Sequence, residues 1–489
     1  MSQIYHGRLH DYTGYASIAI PFQSGKPIGE MIAWAMQATI PENDRPYFWT
    51  ADDRGFSDYV NGAFRIFGPR VMSLYYFWFL LLFGSLTVAI LRFKNDLPAL
   101  AIVACTMIAI VAALPLYVRA PGLNFGEMSV NISETRMFEI LGAIAAVHII
   151  LAALRPSFAQ PLLNLGLLSF QVLLLFFLMH NRSSIAWLAL ALIGLALVTA
   201  AIRWRLKQPR KYVQHAAAVA GILVLGWVSL AVYHKAMLNS TYRGAIGPRT
   251  IWHNIVMGLS YNPTLAKVAR ISVIDDGAAA EAIVQDMRAR ADPRLTPDWN
   301  KQSILNSFGS HNLFDWRSYE SAARGLVIRT LINNPGAALQ MIFWDKPLTI
   351  IHAVRCQAML IRAACYAPGA DLKNAGPTLP DVKFQPLSLL SFGLLSLTAL
   401  GLCLGLSGSV PNQSQSITRS LRTFAFSAAI IAALGIVPSL VFYPAITQLA
   451  GTILFGTLAL YVCIVALLVG LAIWLTEMAG RLRKPAASI

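Results

Sequence analysis

Apolar residues in this chain fall into nine long stretches, at 71–93, 97–118, 137–154, 161–179, 184–204, 215–233, 386–406, 423–442 and 451–478. Each is bounded by charges, Pro or Gly. A run of about 18 or more apolar residues can cross a bilayer as a helix, because the hydrocarbon core is about 30 Å thick and a helix rises about 1.5 Å per residue. The pattern therefore predicts an all-α polytopic membrane helical bundle of about nine spans. The last stretch is the longest, so it is expected to tilt or to extend past the bilayer. One interruption, 234–385, mixes polar and apolar positions and predicts a soluble domain inserted after the sixth span. Within it, helical spacing (Ala282, Ile283 and Met287; Tyr319, Ala322, Ala323 and Leu326) predicts helices over 278–291 and 318–332. Further helices are expected over 337–343 and 348–364, the second opened by Pro347. Strand alternation is scarce, so the domain is expected to be mostly helical. Four segments result: 1–70, 71–233, 234–385 and 386–489.

Positive charge orders these segments across the membrane, because Lys and Arg resist translocation. Arg92 and Lys94 follow the first span and Arg155 follows the third. Arg203, Arg205, Lys207, Arg210 and Lys211 follow the fifth. Arg419 and Arg422 follow the seventh, and Arg481, Arg483 and Lys484 end the chain. One orientation puts all of them in the cytoplasm. The inserted domain, segment 1–70, segment 119–136 and the turn at 180–183 then face outward, and the C-terminus is cytoplasmic. The expected location is the bacterial inner membrane. Segment 1–70 contains no span and no signal-peptide pattern. It needs either a further membrane helix upstream of Met1 or translocation by the first span itself.

Composition agrees with a membrane class: 56% hydrophobic and 13% charged residues are too apolar for an ordinary soluble domain. The net charge of +16 does not indicate nucleic-acid binding, since 13 of the 39 basic residues belong to the inward loops and tail and no nucleic-acid motif is present. The outer domain keeps an excess, 17 basic against 11 acidic residues, which suits anionic partners such as lipid phosphates. Cys105, Cys403 and Cys463 lie within spans as packing residues. Cys356 and Cys365 lie in the outer domain, where an oxidising setting permits a disulfide. A straight helix through both would hold them about 13 Å apart, too far for a bond.

Three polar constellations are candidates for chemistry. The first is Asp52-Asp53-Arg54, ahead of Gly55, Tyr59, Ala63 and Phe64. Paired carboxylates just above the membrane can act as a general base or bind a divalent cation. They also suit the positive end of an amphipathic helix running to about Phe67. The second is Arg249-Thr250-Ile251-Trp252-His253-Asn254, where stacking, imidazole and amide groups together match what holds sugars and phosphates. A helix start with an ordinary, partly exposed His is the alternative. The third runs from Ser310-His311-Asn312 to Asp315-Trp316. No G-x-S-x-G motif and no phosphate-binding glycine loop occur. Within the spans Glu139 and His148 are the polar exceptions, and such groups are functional suspects, although Glu139 sits near the interface.

An outward first segment with paired acids ahead of an amphipathic helix, many spans and a later outward domain resembles the C-type glycosyltransferase superfamily. The resemblance covers the layout and the stretch 52–70. It implies a membrane enzyme taking sugar from a polyprenyl-phosphate carrier at the outer face, with Asp52 or Asp53 as its acid. Arg249, Trp252, His253, Asn254 and His311 would then bind substrate, and the partners would be a lipid-linked sugar or polysaccharide and membrane lipids. The long segment before the acids and the mid-chain position of the large domain depart from the family pattern. Two other classes fit the layout: a noncatalytic protein of envelope polysaccharide assembly, and a transporter or flippase. The latter wants broken spans around a cavity, and only Pro115, Pro438 and Gly435 offer breaks. The charge pattern makes a direct prediction: a Cys replacing Arg210 should react with an impermeant thiol reagent only after the membrane is opened. Labelling in intact cells would overturn the topology.

Overall fold

The computed structural model of the protein describes residues 13–15, 30, 46–48, 55–118, 136–237, 251–271, 276–297, 299–301, 304, 315–350, 389–406, 411–442 and 450–482. Apart from a short antiparallel pair, β1 (Thr13–Tyr15) with β2 (Pro46–Phe48), the described elements are helical. A short helix, α1 (Gly55–Phe67), leads into α2 (Val71–Phe93). There follow α3 (Leu97–Val118), α4 (Arg136–Leu154), α5 (Pro161–Asn181), α6 (Ala186–Arg205) and α7 (Arg210–Met237). The inserted domain holds α8 (Ile251–Leu259), α9 (Pro263–Ala269), α10 (Asp276–Ala289), α11 (Trp316–Asn333) and α12 (Pro335–Gln340). A π-helical turn, Met341–Asp345, continues α12. The chain closes with α13 (Leu389–Leu406), α14 (Pro411–Val441) and α15 (Ala450–Leu482).

Among the described residues, α2, α5, α6, α7, α14 and α15 are long and apolar enough to cross a membrane, and α3, α4 and α13 are apolar over shorter stretches. The chain is therefore built as a multi-pass membrane protein. Its surface agrees: Leu173, Leu225, Phe426 and Leu467 are large apolar side chains left exposed on the bundle, a choice stable only against lipid. Helix α4 is the exception. From Phe138 to Ala153 its side chains are buried, apart from Gly142, which has none, and it packs on α2, α3, α5, α6, α7 and α15. A helix sheathed on every side has no polar face to keep. Its Gly142, Ala143, Ala145 and Ala146 let neighbours approach closely. Between α2 and α5, the Ser85 hydroxyl donates to Gln171 Oε1 at 2.7 Å while Gln171 Nε2 donates back to the Ser85 carbonyl at 2.8 Å.

The polar contacts sort the helix ends into two groups. At one end Arg155 Nε bonds Asp96 Oδ2 at 2.6 Å, Arg203 donates to the carbonyls of Leu154 and Tyr212, and His215 Nε2 lies 3.0 Å from the Ala152 carbonyl. This end carries the basic loops after α2, α4 and α6. At the other end the Gly451 N–H donates to the buried Glu139 carboxylate at 2.8 Å, joining the starts of α15 and α4. Glu139 is thus a helix anchor, placed where the positive end of α15 favours a carboxylate.

The inserted domain has its own core, in which Val256, Ile283, Trp316, Tyr319 and Met341 are buried. The helices expected over 278–291 and 318–332 are present as α10 and α11. Pro347 does not open a new helix: 346–350 continue from the π turn. The five-residue register just before it removes the clash its ring would make with the carbonyl four residues back. The domain meets the bundle at the end of α14. Lys346, buried, donates to the carbonyls of Leu440 and Phe442, each at 2.8 Å. Beside it a Cβ on Gly258 would collide with the Phe442 carbonyl, so only glycine permits this approach. Burial pushes the Lys346 amine down from 10.5 to about 7. Between those values the unfolded chain binds the proton that the folded one releases, so stability rises with pH across this window and the gain disappears as pH falls to about 7. Unfolding midpoints measured from pH 7 to pH 10 should climb in the natural protein relative to Lys346→Met. Parallel curves would show that the amine does not titrate there.

Candidate functional site

Of the seven residues singled out from the sequence, Asp52, Asp53, Arg249 and His311 lie outside the described residues. Trp252, His253 and Asn254 stand together at the start of α8. His253 is fully buried. Its Nδ1 lies 2.7 Å from the Tyr319 hydroxyl and its Nε2 3.1 Å from Asp276 Oδ1. Burial, reinforced by the Glu320 and Asp276 carboxylates, pushes the Tyr319 phenol well up. The phenol therefore keeps its proton and donates to Nδ1, which leaves the imidazole proton on Nε2 facing Asp276. Glu320, also buried, accepts the Trp252 N–H at 2.7 Å and the His253 N–H at 3.2 Å. It thereby caps the N-terminus of α8 from another helix. Arg324 lies over the Trp252 ring at 5.7 Å. This constellation is a clasp that ties α8, α10 and α11. His253, read from the sequence as a substrate-binding group or, alternatively, a partly exposed helix-start residue, is a fully bonded core group, while Trp252 and Asn254 keep part of their surface.

A second constellation, absent from the sequence-based candidates, lies where α1, α5 and α7 meet. Helix α1 is amphipathic, with Tyr59 and Ala63 buried and Asp58 in its first turn. Tyr59 fastens it by donating to the Leu74 carbonyl at 2.5 Å, and burial pushes that phenol up. Gly55 lets the start of α1 lie on the last turn of α5: a Cβ there would sit 2.5 Å from the carbonyl of His180 and the nitrogen of Asn181. The approach brings Asp58 Oδ2 to 2.7 Å from His180 Nε2. On the other side of that ring, Nδ1 lies 2.8 Å from His234 Nε2. The Tyr233 hydroxyl donates more weakly to the same Asp58 oxygen, at 3.5 Å, and its ring meets the His180 ring edge to face.

The donor logic of this chain is directional. A neutral His180 that donates from Nε2 to Asp58 must accept at Nδ1, so His234 Nε2 supplies that proton. A proton arriving at His234 can then displace one along the row toward the carboxylate. The His180 side chain is 5% exposed and that of Asp58 18%, so Asp58 is the more accessible of the two. Both bonds to Asp58 use Oδ2. Among the described residues none hydrogen-bonds Oδ1, which leaves one oxygen of an oriented carboxylate for proton transfer. The three groups bond each other rather than converging on one point, and among the described residues no set of three His, Cys, Asp or Glu is placed to hold a metal ion. The divalent cation expected beside Asp52 and Asp53 falls outside the described residues.

A sequence signal for this row did exist. Asp58, His180 and His234 each stand near a helix end, and the charge pattern assigns all three ends to the same side. No protein-family model matches the chain, and neither the curated proteins nor the solved structures include a significant match. One outcome separates the two constellations. His253→Ala leaves the buried Tyr319 hydroxyl without its acceptor, at a cost of about 1–3 kcal/mol, and should lower the unfolding midpoint. His180→Ala unpairs Asp58, whose side chain is partly exposed, and should lower it less. The reverse order would make the His180 row the structural one.

Proposed function

We propose that this protein is a membrane glycosyltransferase of the C type. It would take a sugar from a polyprenyl-phosphate carrier at the extracytoplasmic face of the bacterial inner membrane. In this reading all nine apolar helices cross the bilayer, the basic loops and C-terminus are cytoplasmic, and 1–70 and 234–385 lie outside. One observation carries it: the Asp58–His180–His234 row, a carboxylate oriented by a buried imidazole beside an amphipathic helix at the non-basic end of the bundle. With the apolar helices spanning the bilayer, that end would stand at the level where the phosphate of a lipid carrier meets water.

The chemistry asks for a base at that level. The acceptor hydroxyl gives its proton to Asp58 Oδ1 as its oxygen attacks the anomeric carbon. The bond from that carbon to the carrier phosphate breaks, and polyprenyl phosphate leaves with the bonding electrons. His180 and Tyr233 position the carboxylate, and His234 completes the row through which a proton passes to water. Asp52 and Asp53 precede Asp58 by six and five residues and remain candidates for the same site, as do Arg249 and His311 for the anionic carrier. Trp252 and Asn254 suit the sugar. A properly placed general base supplies about 10²- to 10⁴-fold in rate.

Full-length protein in nanodiscs, given polyprenyl-phosphate sugars and an acceptor glycan, tests the reading. Asp58→Asn should lose transfer by about that factor while keeping its unfolding midpoint and its binding of the carrier. Undiminished transfer would remove Asp58 as the base. No transfer by the natural protein across a panel of carriers would favour the noncatalytic assembly or flippase readings.

A further inference from the structure

The strongest unexplained surface is in the inserted domain. Phe343 and Trp344, in the π turn, are 73% and 66% exposed. Ile332 at the end of α11, Leu339 on α12 and Leu348 just beyond the turn are exposed as well. These five large apolar side chains lie within seventeen residues of chain. A folded domain facing only water does not gather such a ridge without a partner for it.

Its position identifies that partner. Met341 and Lys346 flank Phe343 and Trp344 in sequence, and both are buried. They are five residues apart, one step of the i→i+5 register that a π turn creates. The turn thus directs Met341 into the domain core and Lys346 onto the bundle, and it leaves Phe343 and Trp344 on the outside between them. Lys346 is tied to the carbonyls of Leu440 and Phe442, at the end of α14. Phe343 and Trp344 are only three and two residues from that anchor, a rise of about 3–5 Å in a helix. They therefore stand level with the end of a helix whose own outer face carries exposed apolar residues, Val437 and Val441 among them. Both the turn and the end of α14 to which Lys346 ties it thus carry exposed apolar residues.

We infer that the Phe343–Trp344 turn is a membrane-insertion device, seating the inserted domain in the interfacial layer of the outer leaflet, with phospholipid as its partner. Aromatic side chains, Trp above all, prefer the boundary between headgroups and acyl chains. Helical segments with one apolar face lie in that plane without crossing it. The inference rests on α14 as a membrane span. Seated this way, the domain that carries Trp252 and Asn254 is held at a fixed height over the bilayer, within reach of a lipid-borne substrate.

The test is photocrosslinking from the full-length protein in phosphatidylglycerol–phosphatidylethanolamine nanodiscs. p-Benzoylphenylalanine is placed singly at 343, at 344, at 426 on the exposed face of α14, and at the exposed Arg290 of the domain. Adducts with phospholipid acyl chains, read by mass spectrometry of the intact protein, are expected at 343, 344 and 426 and not at 290. Lipid adducts at 426 but not at 343 or 344 would overturn the insertion. Crosslinks from 343 or 344 to a second copy of the chain would also overturn it and make the ridge a protein interface. Absence of adducts at 426 as well would remove α14 as a span, and this proposal with it.

Discussion

Helix ends buried against other helices leave backbone N–H and C=O groups that need partners, since no water reaches them. In this protein ionisable side chains from distant segments supply those partners. Glu139 receives the Gly451 N–H, Lys346 caps the end of α14, and Arg203 donates to the carbonyls at the end of α4 and the start of α7. Glu320 does the same for α8 inside the inserted domain. Glu139 and Glu320 serve N-termini, and Lys346 and the Arg203 contact to Leu154 serve C-termini, the signs that the helix dipole favours. The charges that look misplaced in an apolar chain are the fastenings of its architecture.

This constraint separates polar groups spent on helix ends from those that are not. Glu139, Lys346, Arg203 and Glu320 are each occupied by backbone groups. The row from Asp58 through His180 to His234 is different in kind, because side chains bond side chains and the carboxylate keeps an oxygen that no described residue uses. It also sits where a helix lying on the bundle, α1, meets the ends of two helices within it. A group held this way is oriented without being consumed by the fold, as proton transfer requires. His253, by contrast, has both ring nitrogens engaged within the domain and its backbone N–H on Glu320.

The same economy links the inserted domain to the bundle. Gly258 allows backbone to meet backbone at Phe442, and Lys346 secures the contact. The π turn that aims Lys346 inward turns Phe343 and Trp344 outward. Docking and the exposed ridge are therefore consequences of one local irregularity, which follows from a proline that ordinary helical register accommodates poorly.

Hydrophobic periodicity and length, which depend on near neighbours alone, were enough to mark out the apolar helices and the helical segments between them. They located α1 to within a few residues, because its Tyr59, Ala63 and Phe64 repeat at helical spacing. Neither the burial of His253 nor the row at Asp58 could be read the same way. Those partners are separated by 23 and 66 residues for His253, and by 122 and 54 for His180. Contacts of that range depend on which helices pack side by side. Here that choice rests on small residues along α4 and on two glycines, Gly55 and Gly258, whose missing side chains matter only once another backbone lies against them. Charge pattern along the chain thus marked the helix ends that gather at one end of the bundle, and three-dimensional packing decided which side chains meet there.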